Sequence, residues 1–197
     1  NEPTRYWGSP LVGNRVPDRL RFINYNIRDS QIAWFDNWTQ LRTEWNPSAD
    51  ITVRNTAYRL STERHWRDVE QYTYQPATGL IGRSDYIEIL HHEEQIGNRL
   101  DATLRSSLFG FKTTTVVGFD VNHIAFRRDS NAPFGGESTV DPFNPVPGAF
   151  INVAGTRTDI VSRTRQASVF AENRIELSPQ LALVTGVRYD APTVAVS

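Results

Sequence analysis

The sequence predicts an all-β chain, an antiparallel up-and-down meander, on three observations. Apolar and polar residues alternate with a period of two over long stretches, which in extended backbone separates one oily face from one wet face. These stretches come in pairs joined by short turns rich in Pro, Gly, Asp and Ser. No stretch combines a helical period with matching caps. The expected strands are about six, paired as 34–45 with 51–61, 86–106 with 112–127, and 160–176 with 181–190.

In the first hairpin Thr39, Leu41, Thr43 and Trp45 oppose Gln40, Arg42 and Glu44, and the turn falls in NPSAD, Asn46 to Asp50. The partner stretch ITVRNTAYRL alternates poorly, and its facing stays open. The second hairpin has the strongest pattern. Leu100, Ala102 and Leu104 share one face, while Arg99, Asp101, Thr103 and Arg105 share the other. Beyond a turn near Ser107 to Phe111, Thr115, Val117, Phe119 and Val121 oppose Thr114, Gly118, Asp120 and Asn122. In the third hairpin Ala167, Val169, Ala171 and Ile175 oppose Gln166, Ser168, Glu172 and Arg174. After LSPQ, Leu181, Leu183, Val187 and Tyr189 oppose Gly186, Arg188 and Asp190.

Alternation alone does not say which face is inside. In a soluble sandwich the apolar face is core; in a membrane barrel it meets lipid and the polar face lines the lumen. Connections separate the two cases. The hairpin turns are short, whereas the links at roughly 61–85 and 127–160 exceed the usual median of about 4–6 residues. Strict alternation of short and long links puts all turns at one end and all long loops at the other, the layout of a transmembrane barrel. Tyr86 to Ser106 and Lys112 to Arg128 run without Pro, longer than ordinary globular strands. Trp45, Phe109, Phe111 and Tyr189 lie near strand ends, where an interfacial aromatic girdle belongs.

Composition narrows the classes. The chain has 197 residues, is 39% hydrophobic and carries a net charge of -1, so it has the apolar content to fold and no basic field for a nucleic-acid partner. It has no cysteine, which rules out disulfides and thiolate metal sites. Lys112 is the only lysine beside many arginines, the cation suited to fixed bidentate pairing with carboxylates. The opening NEPTRYWGSP has neither a basic n-region nor an apolar h-region, the pattern expected of a mature or excised chain. No run reaches the roughly 18 apolar residues of a membrane helix, a limit that does not apply to barrel strands of about 9–11 residues.

Few motifs carry chemistry. Alternation splits HHEE, His91 to Glu94, between two faces, and two ligands on one strand do not make a metal site. FGGES, Phe134 to Ser138, lacks the lysine and helix of a phosphate-binding loop and reads as surface loop. Asn37-Trp38-Thr39 matches a glycosylation sequon, relevant only on a eukaryotic secretory route. Neither a nucleophile elbow nor a zinc-protease helix motif occurs, so no catalytic residue, metal ligand or cofactor is assigned.

Several segments together resemble the barrel of TonB-dependent ferric-siderophore receptors: YWGSPLV (Tyr6 to Val12), FINYNIRDS (Phe22 to Ser30), WTQLRTEWNPSADITVRN (Trp38 to Asn55), RHWRDVEQYTY (Arg64 to Tyr74), DYIEILHHEEQIGNRLDAT (Asp85 to Thr103), VVGFDVNHIAF (Val116 to Phe126), FGGESTVDPFNP (Phe134 to Pro145) and LALVTGVRYD (Leu181 to Asp190). The resemblance implies part of a large, 22-strand-type transmembrane β-barrel, with the plug domain and the remaining strands outside residues 1–197. It further implies the bacterial outer membrane, a ferric siderophore as transported ligand, contact with TonB through the plug, surrounding lipid, and no enzyme activity. Leu100, Ala102, Leu104, Val117, Phe119 and Val121 are then expected to meet lipid. Arg99, Asp101, Arg105, Asp120, Glu172, Arg174 and Arg188 are expected to face the lumen and plug.

Siderophores present apolar or aromatic scaffolds and an often anionic ferric centre, which flat aromatic faces and arginine donors suit. Tyr6, Trp7, Arg64, Trp66, Tyr72, Tyr74, Arg127 and Phe134, in segments expected on the extracellular side, are the candidate ligand contacts. Two other functions fit the same pattern: a passive porin-like channel or surface-binding barrel, and a soluble β-sandwich that binds glycans through exposed aromatics.

Overall fold

A computed structural model describes residues 8–197; Tyr6 and Trp7 lie outside the described residues. Extended structure dominates: β1 (Gln31–Ser48), β2 (Ile51–Gln75), β3 (Leu80–Leu108), β4 (Phe111–Ser130), β5 (Ser138–Val140), β6 (Arg157–Ser178) and β7 (Leu181–Val196). They form one sheet in the order β1-β2-β3-β4-β6-β7, with β5 added to β3. β6 and β7 pair antiparallel, and the meander expected from the alternation is the observed topology. No helix is long and apolar enough to cross a membrane, which says nothing of strands.

The turns follow local chemistry. β3 and β4 are joined by Phe109 and Gly110, with φ of 52° and 84°. Two successive positive φ values make the tight hairpin turn whose twist matches the flanking strands, and glycine takes one of them without steric cost. Two-residue links also join β1 to β2 and β6 to β7.

The strands run longer than the sequence pattern predicts, most of all between β2 and β3. The stretch 61–85, expected as a long connection, is extended almost throughout and closes in a turn at 76–79. Its alternation is hidden because both of its faces bear mixed aromatic and charged residues. The strict alternation of short and long links is corrected accordingly: the remaining long connection is 131–156, interrupted by β5.

The chain divides into two compact units. Unit 1 comprises residues 1–35, 62–92 and 127–160. All the fully buried hydrophobic side chains among the described residues belong to it: Leu20, Tyr25, Ile27, Val69, Ile81, Tyr86, Ile87 and Val140. Six of them form two clusters, Tyr25 with Ile81 and Val140, and Ile27 with Val69 and Tyr86, and Tyr72 packs against both. Segment 23–27 and the 131–156 connection supply much of this cover. Backbone groups in these irregular segments are satisfied by side chains, as burial requires. Asn26 Oδ1 accepts from the amides of Ile27 and Val69, and Asn131 takes the Glu88 amide while donating to the Tyr86 carbonyl.

Unit 2 comprises residues 36–61, 93–126 and 161–197 and is built differently. Its apolar side chains are exposed: Leu41 66%, Trp45 66%, Val169 58%, Val187 70% and Tyr189 68%. The facing of 51–61, open in the sequence, is resolved by contacts. Thr52 accepts from Arg105, and Arg54 donates to Glu44, so these residues share the charged face. Asn55 pairs with Asn98 on the apolar face.

Glycines on the charged face make room for aromatics. A Cβ at Gly97 would collide with the Tyr58 ring, and one at Gly118 with Phe170 and the Leu100 carbonyl. Phe170 in turn carries the Arg99 guanidinium 5.2 Å above its ring.

Candidate functional site

The most distinctive constellation lies in unit 1 and starts from three side chains of β1 and β2. Arg64 and Trp66 are two residues apart on one strand and therefore share a face. The Arg64 guanidinium carbon lies 4.2 Å from the Trp66 ring centroid and 5.5 Å from that of Trp34 on β1. Both distances fall within the range of cation–π attraction, so two indole rings engage the planar cation. Arg64 Nε is buried without a hydrogen-bond partner among the described residues. Burial pushes the Arg64 pKa below its ordinary value, opposed by the nearby Glu70 carboxylate. The result is a half-buried cation whose Nε donor is unused, suited to an anionic group from outside the chain.

The surroundings extend the positive potential. His91 on β3 has a lowered pKa, first from burial and then from repulsion by Arg64 and Arg128. Arg128 is held by Asp159 through two parallel hydrogen bonds, Nε to Oδ1 at 2.9 Å and Nη2 to Oδ2 at 2.8 Å. Arg128 and Ser130 donate to Asp159, and its carboxyl falls to a pKa of about 2. These are charge-assisted contacts in fork geometry, the strong class of polar interaction.

On the same strand, Asp68 is fully buried, both of its carboxylate oxygens lack a hydrogen-bond partner among the described residues, and desolvation pushes its pKa upward against the opposing influence of Trp66 and Asn26. Glu70 is raised by burial and by the negative charges of Asp68 and Asp85. Tyr72 is raised by burial and by Asp68, and its hydroxyl is buried without a hydrogen-bond partner among the described residues.

A second polar chain braces the strands. Gln31 Nε2 lies 2.9 Å from His65 Nδ1, and His65 Nε2 lies 2.8 Å from Glu88 Oε1. Arg67 also donates to that oxygen at 2.6 Å and stands 5.1 Å over the Phe150 ring. Burial acts to raise the Glu88 pKa, but the hydrogen bonds from Arg67 and His65 prevail and hold it low. Nearby, buried Arg83 clamps the loops, reaching the Pro147 carbonyl at 2.6 Å and Ser138 Oγ at 2.8 Å.

The residues named from the sequence are thus dispersed. Arg64 and Trp66 come together. Tyr72 and Tyr74 pack against the buried clusters, Arg127 pairs with Asp129 at 3.2 Å, and Phe134 lies in the 131–156 connection. Trp34 and His91 belong to the constellation but were absent from the sequence-derived set of ligand contacts, whereas Arg128 lies among the arginines the sequence places on the extracellular side. Only the register between strands brings them together, although the i, i+2 spacing of Arg64 and Trp66 was a visible signal. No group of three or more His, Asp and Glu residues converges as a metal site among the described residues.

In unit 2 the named charges have separate partners. Arg99 lies on Phe170, Arg105 donates to Thr52, and Arg174 lies 3.7 Å from Glu176. Arg188 bridges Asp190 and Ser168, at 2.9 Å from Ser168 Oγ. Asp120 Oδ1 is buried without a hydrogen-bond partner among the described residues. Asp101 is half-buried and Glu172 exposed.

A family model described as TonB dependent receptor-like, beta-barrel matches residues 1–195. No curated protein matches the chain by sequence. Among solved structures, BauA, the ferric preacinetobactin receptor of Acinetobacter baumannii, superposes with a TM-score of 0.74 at 13% identity, covering 84% of this chain and 25% of that one. PiuA, a siderophore receptor of Acinetobacter baumannii, gives 0.63 at 14% identity, covering 88% and 31%. The chain thus spans about a quarter to a third of the length of these receptors.

Proposed function

The chain belongs to the TonB-dependent receptor β-barrel family, and from that premise we propose that it is the part of an outer-membrane receptor that receives a ferric siderophore. The observation that carries this reading is Arg64, in cation–π contact with Trp34 and Trp66 and with its Nε unused, beside His91 and Arg128. Aromatic faces suit the scaffold of such a chelate, and a half-buried guanidinium suits its anionic donor groups. Metal coordination is completed by the siderophore, so the protein supplies recognition and no ligand to iron. The absence of converging metal-ligating residues among the described ones is compatible with this. The structural similarity to two siderophore receptors supports the fold in which such a site would operate.

In this reading the apolar face of unit 2 meets lipid. Exposed Leu41, Val169, Val187 and Tyr189 are costly in water and favourable against acyl chains. The charged face, with Arg99, Asp101, Arg105, Asp120, Glu172, Arg174 and Arg188, lines the lumen and meets the plug. Transport is non-covalent: the chelate is bound intact and moved inward by energy transmitted from TonB. The protein is a receptor and transporter, with no catalytic step.

The test is growth under iron limitation of cells carrying the complete receptor and fed a panel of ferric siderophores one at a time. Rescue by one of them, lost on Arg64→Gln with the receptor still assembled in the outer membrane, is the expected result. No rescue by any member overturns the ligand class, and undiminished rescue in the Arg64→Gln receptor overturns the proposed site.

A further inference from the structure

Unit 2 carries a second feature, on its apolar face. A groove of about 610 Å3 is bordered by Ile96, Val121, Ala167 and Ala191 on its apolar side and by His123 and Arg165 on its polar side. It exists because Ala167 and Ala191, directly paired across β6 and β7, leave the sheet surface hollow beside larger neighbours. His123 Nδ1 is buried there without a hydrogen-bond partner among the described residues.

The chemistry of this face changes abruptly at the groove. Along β6, Ile175, Ala171, Val169 and Ala167 are apolar, Asn173 among them is satisfied by donating to Thr115 Oγ1, and the next two side chains on that face are Arg165 and Arg163. Tyr189, paired with Val169, stands just below the change, an amphipathic ring at the boundary. From Ile175 to Arg165 the strand rises about 33 Å at about 3.3 Å per residue, or roughly 25 Å once tilted at about 40°. That is the height of the apolar band of a membrane barrel, so the two arginines stand at headgroup level.

Arg163 and Arg165 also differ from the seven arginines of the sheet that pair with a carboxylate among the described residues, Arg54, Arg59, Arg67, Arg127, Arg128, Arg174 and Arg188. Arg163 and Arg165 are exposed and make no side-chain hydrogen bond or ion pair among the described residues. Two unpaired guanidinium groups above an apolar trough form a surface complementary to an anionic headgroup on acyl chains, and arginine matches phosphate in particular.

We propose that this groove holds a phosphate-bearing lipid of the outer leaflet, its acyl chains on Val121, Ala167 and Ala191 and its phosphate on Arg163 and Arg165. The proposal rests on the reading of this face as lipid-contacting. It concerns a site separate from that of Arg64.

The test uses the complete receptor in detergent and native mass spectrometry, with phosphatidic acid and phosphatidylcholine of identical chains as competing probes. The expected result is retention of phosphatidic acid about tenfold above phosphatidylcholine, abolished in R163Q/R165Q and kept in R165K. Equal retention of the two lipids, or a preference unchanged in R163Q/R165Q, overturns the site. Complete displacement by inorganic phosphate does so too, since it marks a bare anion site. A receptor that is monodisperse without detergent overturns the membrane reading and this site together. Loss of the lipid preference alone leaves siderophore rescue of growth intact and refutes only the groove.

Discussion

The Arg64 guanidinium lies 4.2 Å from the centre of the Trp66 ring and 5.5 Å from that of Trp34, with its Nε unpaired. That nitrogen has lost water without gaining a hydrogen-bond partner, a cost that an incoming anion relieves. In the complete receptor, Arg64→Gln is expected to weaken binding of the growth-supporting ferric siderophore by roughly 10- to 100-fold, about 1.5–3 kcal/mol for a charged hydrogen bond. Trp34→Leu is expected to cost less, about 0.5–2 kcal/mol, the range of one cation–π contact. Titration by intrinsic fluorescence quenching reads both. An affinity within twofold of wild type in Arg64→Gln excludes the arginine from the ligand site.

Two carboxylates of unit 1 should depend on pH in opposite senses. Asp159 has a folded pKa of about 2, below the ordinary 3.8, so it binds fewer protons when folded near pH 3. Its stabilising pairing with Arg128 is complete above the ordinary pKa and is lost as the pH falls from about 4 to about 2. Asp68 has a raised pKa, so its contribution is most favourable below the ordinary value and declines as the pH rises through the folded one. Amide exchange, corrected for intrinsic rates, should show opening near Arg128 and Asp159 on acidification, absent in Asp159→Asn. Asp68→Asn should protect the Asn26–Val69 region equally at pH 4 and pH 8. Identical pH profiles in wild type and both variants contradict these assignments.

The Tyr58–Gly97 contact makes a prediction about assembly. The three nearest atoms a Cβ at Gly97 would meet all belong to the Tyr58 ring, so the conflict is between two side chains. Gly97→Ala is expected to destabilise the folded receptor by about 1–3 kcal/mol through overpacking. Tyr58→Ala in the same molecule should recover part of that loss, a coupling that a double-mutant cycle isolates. The heat-dependent gel mobility of the folded receptor measures each variant. Strict additivity would mean that the ring is not what excludes the side chain.

Facing is open to a direct test. Single arginines at Val117, Val169 and Leu183 should cost about 2–4 kcal/mol if they lie near mid-membrane, and less toward either interface. Arginine at Glu172, on the opposite face of β6, should cost little. Refolding into lipid vesicles with urea titration discriminates, and equal costs on the two faces would be incompatible with a lipid-exposed apolar face.

The period-2 alternation from Leu100 to Val121 was sufficient to identify hairpin, turn and faces, because every strand residue reports its facing through its polarity. The same logic failed from Ser61 to Asp85. There both faces pack against other parts of unit 1, Tyr72 serving two clusters at once, so polarity no longer tracks facing and the extended backbone went unrecognised. ITVRNTAYRL was ambiguous for a related reason. Thr52 and Asn55 are placed by cross-strand partners that lie far away in sequence, and Arg54 by Glu44 across the hairpin.

By itself, the sequence determined the all-β meander, the approximate hairpin positions and the amphipathic character of the sheet. Each depends on neighbours a few residues apart, through pleat and turn chemistry. The tertiary structure alone decided that the buried core gathers in unit 1 while the apolar side chains of unit 2 stay exposed. It also decided that Arg64 meets Trp34, that Glu88 gathers His65 and Arg67, and that Arg163 and Arg165 remain unpaired. Such contacts join residues tens of positions apart, and their geometry is set by strand register, which local polarity constrains only to the choice of face.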